Sequence, residues 1–245
     1  MRLVADTHTH TISSGHSYST IQENAREAGN KGLEAIAMTD HGPAMKGAPS
    51  LLHFWNLKAI PERIYGVRII KGVEANITDY SGGTDIPDGI MRQLEFVIAS
   101  FHDITIEPAT VEEHTQALVN ILKNPLVDAI AHPGNPVFQV DIDKVVRTAA
   151  EYGKLIEINN HSFFVRKGSD RNCREFAIKC KEYGARITCG SDAHISFDVG
   201  RFDRVHELLA EVGVPEELIL CTSGDKIQRF IEERKAVKAK IVQGQ

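Results

Sequence analysis

The chain has 245 residues, and 28 Lys+Arg against 33 Asp+Glu leave a formal charge of −5. At 42% hydrophobic and 25% charged residues, the composition argues against disorder, and the length is enough to hold a core without disulfides. The mild acidity argues against a duplex-binding protein, which carries a basic face, so no nucleic-acid partner is expected.

In chain order, an expected strand at residues 3–6 leads to a helix at 21–30, opened by the capping-box pair Thr20 and Glu23 and stopped at Gly32. Strands follow at 35–39, 67–73 and 96–100. A helix then starts after Thr110, with Glu113 three residues on, and ends near Asn124-Pro125. Strands at 127–131, 155–159 and 186–190 alternate with helices at 142–152, 170–183 and 203–212, each followed by a glycine. The last helix, from 226 to about 239, carries a stripe of Ile227, Phe230 and Ile231 to pack inward and a basic face to be solvated. Most strand segments are continuous apolar runs, as parallel strands buried on both faces require. Strand–helix alternation of this kind implies right-handed crossovers and one parallel sheet. No G-x-G-x-x-G or P-loop signature favours an open nucleotide-binding sheet, and no linker-like segment divides residues 1–245, so a single domain is expected. No apolar run is long enough for a membrane span and no secretory h-region opens the chain; a cytoplasmic protein without a membrane partner is expected. Cys173, Cys180, Cys189 and Cys221 form no C-x-x-C pair and read as buried thiols.

The 11 histidines are distributed by position. His8 and His10 follow the first strand, Asp40-His41 the second, Glu74 the third, His102 the fourth, His132 the fifth, and Asp192 with His194 the seventh. In a parallel barrel all these strand ends meet on one face. His8-Thr9-His10 places two imidazoles at i and i+2, pointing the same way in extended chain, and Asp192-Ala193-His194 repeats the spacing with a carboxylate first. Burying so many titratable groups together costs several kcal/mol each unless something pairs with them, and metal cations are the economical partner. His8, His10, His16, His41, His102, His132 and His194 with Glu74 and Asp192 are the candidate ligands. A mononuclear catalytic site takes about three protein ligands, so this set suits two or three metals with a bridging carboxylate. Imidazole and carboxylate without thiolate fit zinc, manganese, iron or cobalt.

The motifs His8-Thr9-His10, Thr39-Asp40-His41-Gly42, Gly72-Val73-Glu74-Ala75-Asn76, His102, His132-Pro133-Gly134-Asn135-Pro136 and Gly190-Ser191-Asp192-Ala193-His194 resemble the PHP (polymerase and histidinol phosphatase) family. Glu157-Ile158-Asn159-Asn160 and Arg166-Lys167-Gly168-Ser169 add likeness to its YcdX-like phosphatase branch. The resemblance implies a distorted (βα)7 TIM-like barrel of the α/β class with a trinuclear site, taking three zinc ions per subunit, with manganese or iron as alternatives. It places one metal on His8, His10, Glu74 and Asp192, a second on Glu74, His102 and His132, and a third on His16, His41 and His194. It further implies hydrolysis of a small phosphomonoester by a metal-bound hydroxide, with Glu74 and Asp192 as the catalytic residues, and a homo-oligomer such as a trimer.

Arg166 and Lys167 lie just before a helix that Ser169 is placed to cap, a ready anion site for substrate; a solvated charge pair is the other reading. Arg201 is read as a surface residue. Phe54 and Trp55 fit a lid or the core equally. Asp40 and Asn76, beside ligands, are read as orienting imidazoles. The competing functions are an amidohydrolase cleaving C–N bonds, a phosphodiesterase or nuclease, and a non-catalytic metal-binding accessory module. An amidohydrolase commonly uses a bridging lysine late in the barrel where this chain offers Glu74, and an intact ligand set argues against an accessory module.

Overall fold

In the computed structural model, which describes residues 1–243, eight strands share one sheet: β1 (Ala5–Thr9), β2 (Ala35–Met38), β3 (Arg63–Ile64), β4 (Val67–Asn76), β5 (Phe96–Ser100), β6 (Ala129–Ile130), β7 (Leu155–Asn159) and β8 (Arg186–Gly190). All except β3 run parallel, in the order β1-β2-β4-β5-β6-β7-β8. The last meets the first through a parallel bridge between Thr9 and Ala193. There the Asp192 amide donates to His8 O and the His10 amide to Ala193 O, each at 2.9 Å. The α/β barrel is thus a single, distorted (βα)7 ring, closed at the carboxyl ends of its strands, as expected.

The connecting helices are α1 (Ile21–Asn30), α2 (Leu51–Trp55), α3 (Asp88–Met91), α4 (Val111–Lys123), α5 (Ile142–Glu151), α6 (Ser162–Val165), α7 (Ser169–Tyr183), α8 (Asp203–Val212) and α9 (Gly224–Gln243). Both capping boxes form: Thr20 and Thr110 accept from the Glu23 and Glu113 amides, whose carboxylates reach back to the cap amides. All four cysteines are free and buried.

Departures from the sequence expectation follow from tertiary pairing. The first strand runs to Thr9 rather than ending at Asp6, so His8 lies within it. Closure supplies the partners: Thr7 Oγ1 meets Thr188 Oγ1 at 2.7 Å, and buried Asp6 takes the Ser191 amide at 3.0 Å. β4 extends to Asn76 because β5 continues alongside it as far as Ser100. β3 was not anticipated. It pairs antiparallel with β4 across a two-residue Tyr65-Gly66 turn, both residues at positive φ (51° and 82°), the geometry that two-residue hairpins favour. Ser169 does not cap α7: Gly168, at φ 95°, holds that position, and Ser169 Oγ is buried without a hydrogen-bond partner. Phe54 joins the core, whereas Trp55 is exposed.

The basic face of α9 is only partly solvated. Ile227, Phe230 and Ile231 pack inward as expected, but Arg234 and Lys238 are also buried. Arg234 Nε lies 2.5 Å from Asp128 Oδ1 and Lys238 Nζ 3.0 Å from Asp128 Oδ2, at the amino end of β6. Lys154, nearby, donates to the Asn124 and Val127 carbonyls; burial, with the Arg234 charge beside it, pushes its amine down to about 7. Helix periodicity assigns a face but does not say what waits on the other side of it.

Candidate metal centre

Closure of the barrel brings all nine candidate ligands to its carboxyl-terminal face. His8 Nε2 and His10 Nε2 are 3.0 Å apart, so the i, i+2 pair does point one way. Glu74 Oε2 lies 3.3 Å from the first and 3.5 Å from the second, and Asp192 Oδ1 lies 3.6 and 3.2 Å away. The other Glu74 oxygen, Oε1, is 2.9 Å from His132 Nε2 and 3.4 Å from His102 Nε2. His16 Nε2 and His194 Nε2 face each other at 2.9 Å. The His41 ring lies 5.0 Å from the His16 ring, and its Nδ1 also sits 2.7 Å from Glu74 Oε2. Glu74, fully buried, therefore stands between two groups of imidazoles. Donor atoms of His8, His10 and Glu74, of His10, His41 and His194, and of His41, Glu74 and His102 each converge within 4.8 Å.

The backbone is strained where two of these residues leave their strands: His132 and Asp192 adopt left-handed conformations, φ 32° and 56°. Such positions cost roughly 1–3 kcal/mol each and persist where the surroundings enforce them. The Glu157 carboxylate takes the His132 amide at 2.7 Å and the His8 carbonyl takes that of Asp192.

The second ring nitrogens show which nitrogen carries the proton. His8 Nδ1 meets Glu157 Oε1 at 2.8 Å, His16 Nδ1 the Ser14 carbonyl at 3.0 Å, and His194 Nδ1 the Asp192 carbonyl at 2.9 Å. Asn76 donates through Nδ2 to Gly42 O and Asp85, leaving its Oδ1 for His102 Nδ1 at 2.9 Å. These partners are acceptors only, so each Nδ1 is the donor, and it is Nε2, turned into the bowl, whose lone pair is available to a metal. His16 Nε2 and His194 Nε2 meet at 2.9 Å with both Nδ1 protons already committed to carbonyls, so a cation lying among these nitrogens would satisfy both lone pairs at once. Equally, His41 Nδ1 and Glu74 Oε2 are buried side by side without forming a hydrogen bond. The donor set fits metal ions.

The electrostatics agree. Burial would raise the Glu74 carboxyl, but His41, His8 and His102 hold it well below its ordinary range. Asp192 is likewise held low against its burial by His8, His10, His194 and Arg166. Burial and the Arg166 charge push His132 down to about 4, and burial with His41 and His194 keeps His10 well below its usual value. His8 goes the other way: burial lowers it, yet Glu157, Glu74 and Asp192 together raise it well above normal. Carboxylates held ionised deep in the bowl form a place that attracts positive charge, as the raised His8 itself shows.

Around this bowl the remaining residues sort themselves. Arg166 Nη2 reaches Asp192 Oδ2 at 3.5 Å and Arg166 Nη1 reaches Ser162 Oγ at 3.0 Å, at the edge of the site. Lys167 is exposed and has no ion pair or side-chain hydrogen bond among the described residues. Arg201 pairs with Asp198 and Asp203 over the Phe164 ring, on the surface as expected. Asn76 does orient an imidazole, whereas the Asp40 carboxylate binds the Thr11 amide and the Ser14 hydroxyl and reaches no candidate-ligand side chain directly. Burial would raise Asp40, but these donors and His53 beside it hold its carboxyl at about 2. Glu157 was missed as a site residue. Its signal was an acid inside the apolar run of β7, at a position facing the barrel interior. Gly190 makes room for it: a Cβ there would lie 2.2 Å from Glu157 Oε1 and 2.4 Å from His8 Cβ.

A family profile described as PHP domain matches residues 6–161. A protein named "probable phosphatase" from Acetivibrio thermocellus is 66% identical over 96% of this chain and 98% of its own length. Another of that name from a Thermoanaerobacter species is 56% identical over 96% of this chain and 97% of its own. Among solved structures, histidinol phosphate phosphatase of Lactococcus lactis, in complex with zinc, L-histidinol and phosphate, superposes with a TM-score of 0.62 at 20% identity, covering 86% of this chain and 94% of that one.

Proposed function

The chain belongs to the PHP domain family, and from that premise we propose that residues 1–245 form one metal-dependent phosphatase unit that hydrolyses a small phosphomonoester at a trinuclear site. The observation that carries this reading is the facing of His16 Nε2 and His194 Nε2, whose Nδ1 atoms are both turned to carbonyls, beside a Glu74–His41 contact that is not a hydrogen bond. His8, His10, Glu74 and Asp192 would hold one ion, Glu74, His102 and His132 a second, and His16, His41 and His194 a third. Zinc suits the imidazole–carboxylate set, with manganese or iron as alternatives. When bound, such ions supply a nucleophilic water near neutral pH and offset charge developing on phosphoryl oxygens.

The chain's own residues do the rest. Glu74, placed between two groups of imidazoles, fixes their separation, and Asp192 adds a second negative charge on the inner side. Glu157 and Asn76 keep His8 and His102 turned inward through their Nδ1 protons. Arg166, ion-paired to Asp192 but partly exposed, is placed to take a phosphoryl oxygen in a charge-assisted hydrogen bond. Arg166→Met is expected to lower kcat/KM by about 10²–10³-fold, the typical worth of one oxyanion donor, with metal content unchanged. A kcat/KM within threefold of the parent would remove Arg166 from substrate binding. Lys167, solvated, is given no such role.

Hydrolysis of p-nitrophenyl phosphate after loading with zinc or manganese tests the function, against bis-p-nitrophenyl phosphate and a panel of amides, with metals counted per chain. Monoester turnover that a chelator abolishes supports the proposal. Preference for the diester favours a nuclease, preference for amides an amidohydrolase, and binding without any turnover an accessory module. No helix among the described residues is long and apolar enough to cross a membrane. A cytoplasmic homo-oligomer, such as a trimer, completes the proposal, and sedimentation velocity reads its assembly state.

A further inference from the structure

We propose that Ser14 is a positioning residue whose hydroxyl sets which nitrogen of His10 is protonated, and whose backbone and side chain together hold His16 and His41, so that one residue ties the position of His8, His10, Glu74 and Asp192 to that of His16, His41 and His194. The inference rests on the metal-site reading above. Ser14 is fully buried and belongs to no candidate ligand set. Its Oγ lies 2.7 Å from Asp40 Oδ1, 3.0 Å from His10 Nδ1 and 3.2 Å from the His41 amide, and its carbonyl lies 3.0 Å from His16 Nδ1.

A serine hydroxyl has one proton to give and two lone pairs to offer. Asp40 is an acceptor already engaged by the Thr11 amide at 2.7 Å and the Thr11 hydroxyl at 2.8 Å, and it takes the Ser14 proton. The His41 amide can only donate. What remains on Oγ is one lone pair directed at His10 Nδ1, so that nitrogen is the donor and His10 Nε2 faces His8 Nε2 and Asp192 with its own lone pair free. The chain turn does not need this hydroxyl: Thr11 caps the short 3-10 turn at Ile12–Ser14 by accepting from the Ser13 amide. Gly15, at φ 80°, then reverses the chain so that His16 returns toward the bowl. Ser14 thus gives His10 the inward orientation that Glu157 gives His8, while its carbonyl does the same for His16.

Ser14→Ala removes one oxygen from a site that keeps its shape, and two readouts on the full-length chain decide the matter. Zinc affinity, measured by competition with a chromophoric chelator, is expected to fall about 10–100-fold, the usual effect of losing a partner behind a ligating histidine. In the metal-free chain, imidazole 1H–15N correlation spectra are expected to show His10 protonated at Nδ1, and a mixture of tautomers in Ser14→Ala; Ser14→Thr, which keeps the hydroxyl, is expected to restore the parent pattern. Affinity within threefold of the parent, or a His10 nitrogen pattern unchanged by Ser14→Ala, overturns the proposal, as does finding parent His10 protonated at Nε2. Loss of affinity without a tautomer change counts as a general structural effect and also overturns it. A parent chain that binds zinc but hydrolyses no phosphomonoester sinks the phosphatase reading alone, leaving the Ser14 comparison intact.

Discussion

Glu74→Gln is expected to cut the proposed phosphomonoester turnover at least about a thousandfold and to strip the chain of two of the three ions proposed for it, while the fold stays intact. The carboxylate is fully buried, and its two oxygens face different imidazoles, His132 and His102 on one side and His8, His10 and His41 on the other. Glutamine keeps the volume but removes the charge that holds cations on both sides, and its amide donates a proton where a lone pair is needed. Metal stabilisation of a phosphoryl transition state is worth several kcal/mol, and each 1.36 kcal/mol is tenfold in rate, which sets the expected size. Elemental analysis of the purified variant, with rates measured on p-nitrophenyl phosphate, checks both parts. Full metal content at the parent rate would show that Glu74 bridges nothing.

Asp128→Asn is expected to destabilise the fold by about 3–5 kcal/mol, the usual cost of leaving buried charge without its partner. Asp128 is the only carboxylate that the buried Arg234 and Lys238 of α9 touch among the described residues, and its Oδ2 also takes the Val97 amide at 2.7 Å. Its loss leaves these two cations beside Lys154, an amine that burial already holds near 7. Urea unfolding followed by circular dichroism reads the change. A loss under about 1 kcal/mol would mean that α9 is held by Ile227, Phe230 and Ile231 alone. In a parallel barrel, the end opposite the strand carboxyl termini serves stability rather than chemistry, so metal content should not change.

Much of this molecule was legible from local pattern. A capping box needs only Thr20 and Glu23, three residues apart, and a strand needs only its apolar run; both were read from the chain and both formed. The residue types that gather in the bowl were equally plain, because each histidine or carboxylate stands at or near the end of a strand and parallel strands end together. Corrections came where a partner is distant. The first strand lengthened because β8 closes on it, Ser169 lost its capping role to a left-handed Gly168, and α9 buried two cations that its periodicity would have solvated.

The amino-acid order alone therefore settled the α/β class and the boundaries of most elements, and it named the side chains that gather in the bowl, since these depend on periods and caps spanning a few residues. Tertiary structure decided which nitrogen of each imidazole faces inward. His8 owes its orientation to Glu157, 149 residues away, and His102 to Asn76; such pairings depend on strand register and on closure of the ring, which no local run of residues encodes.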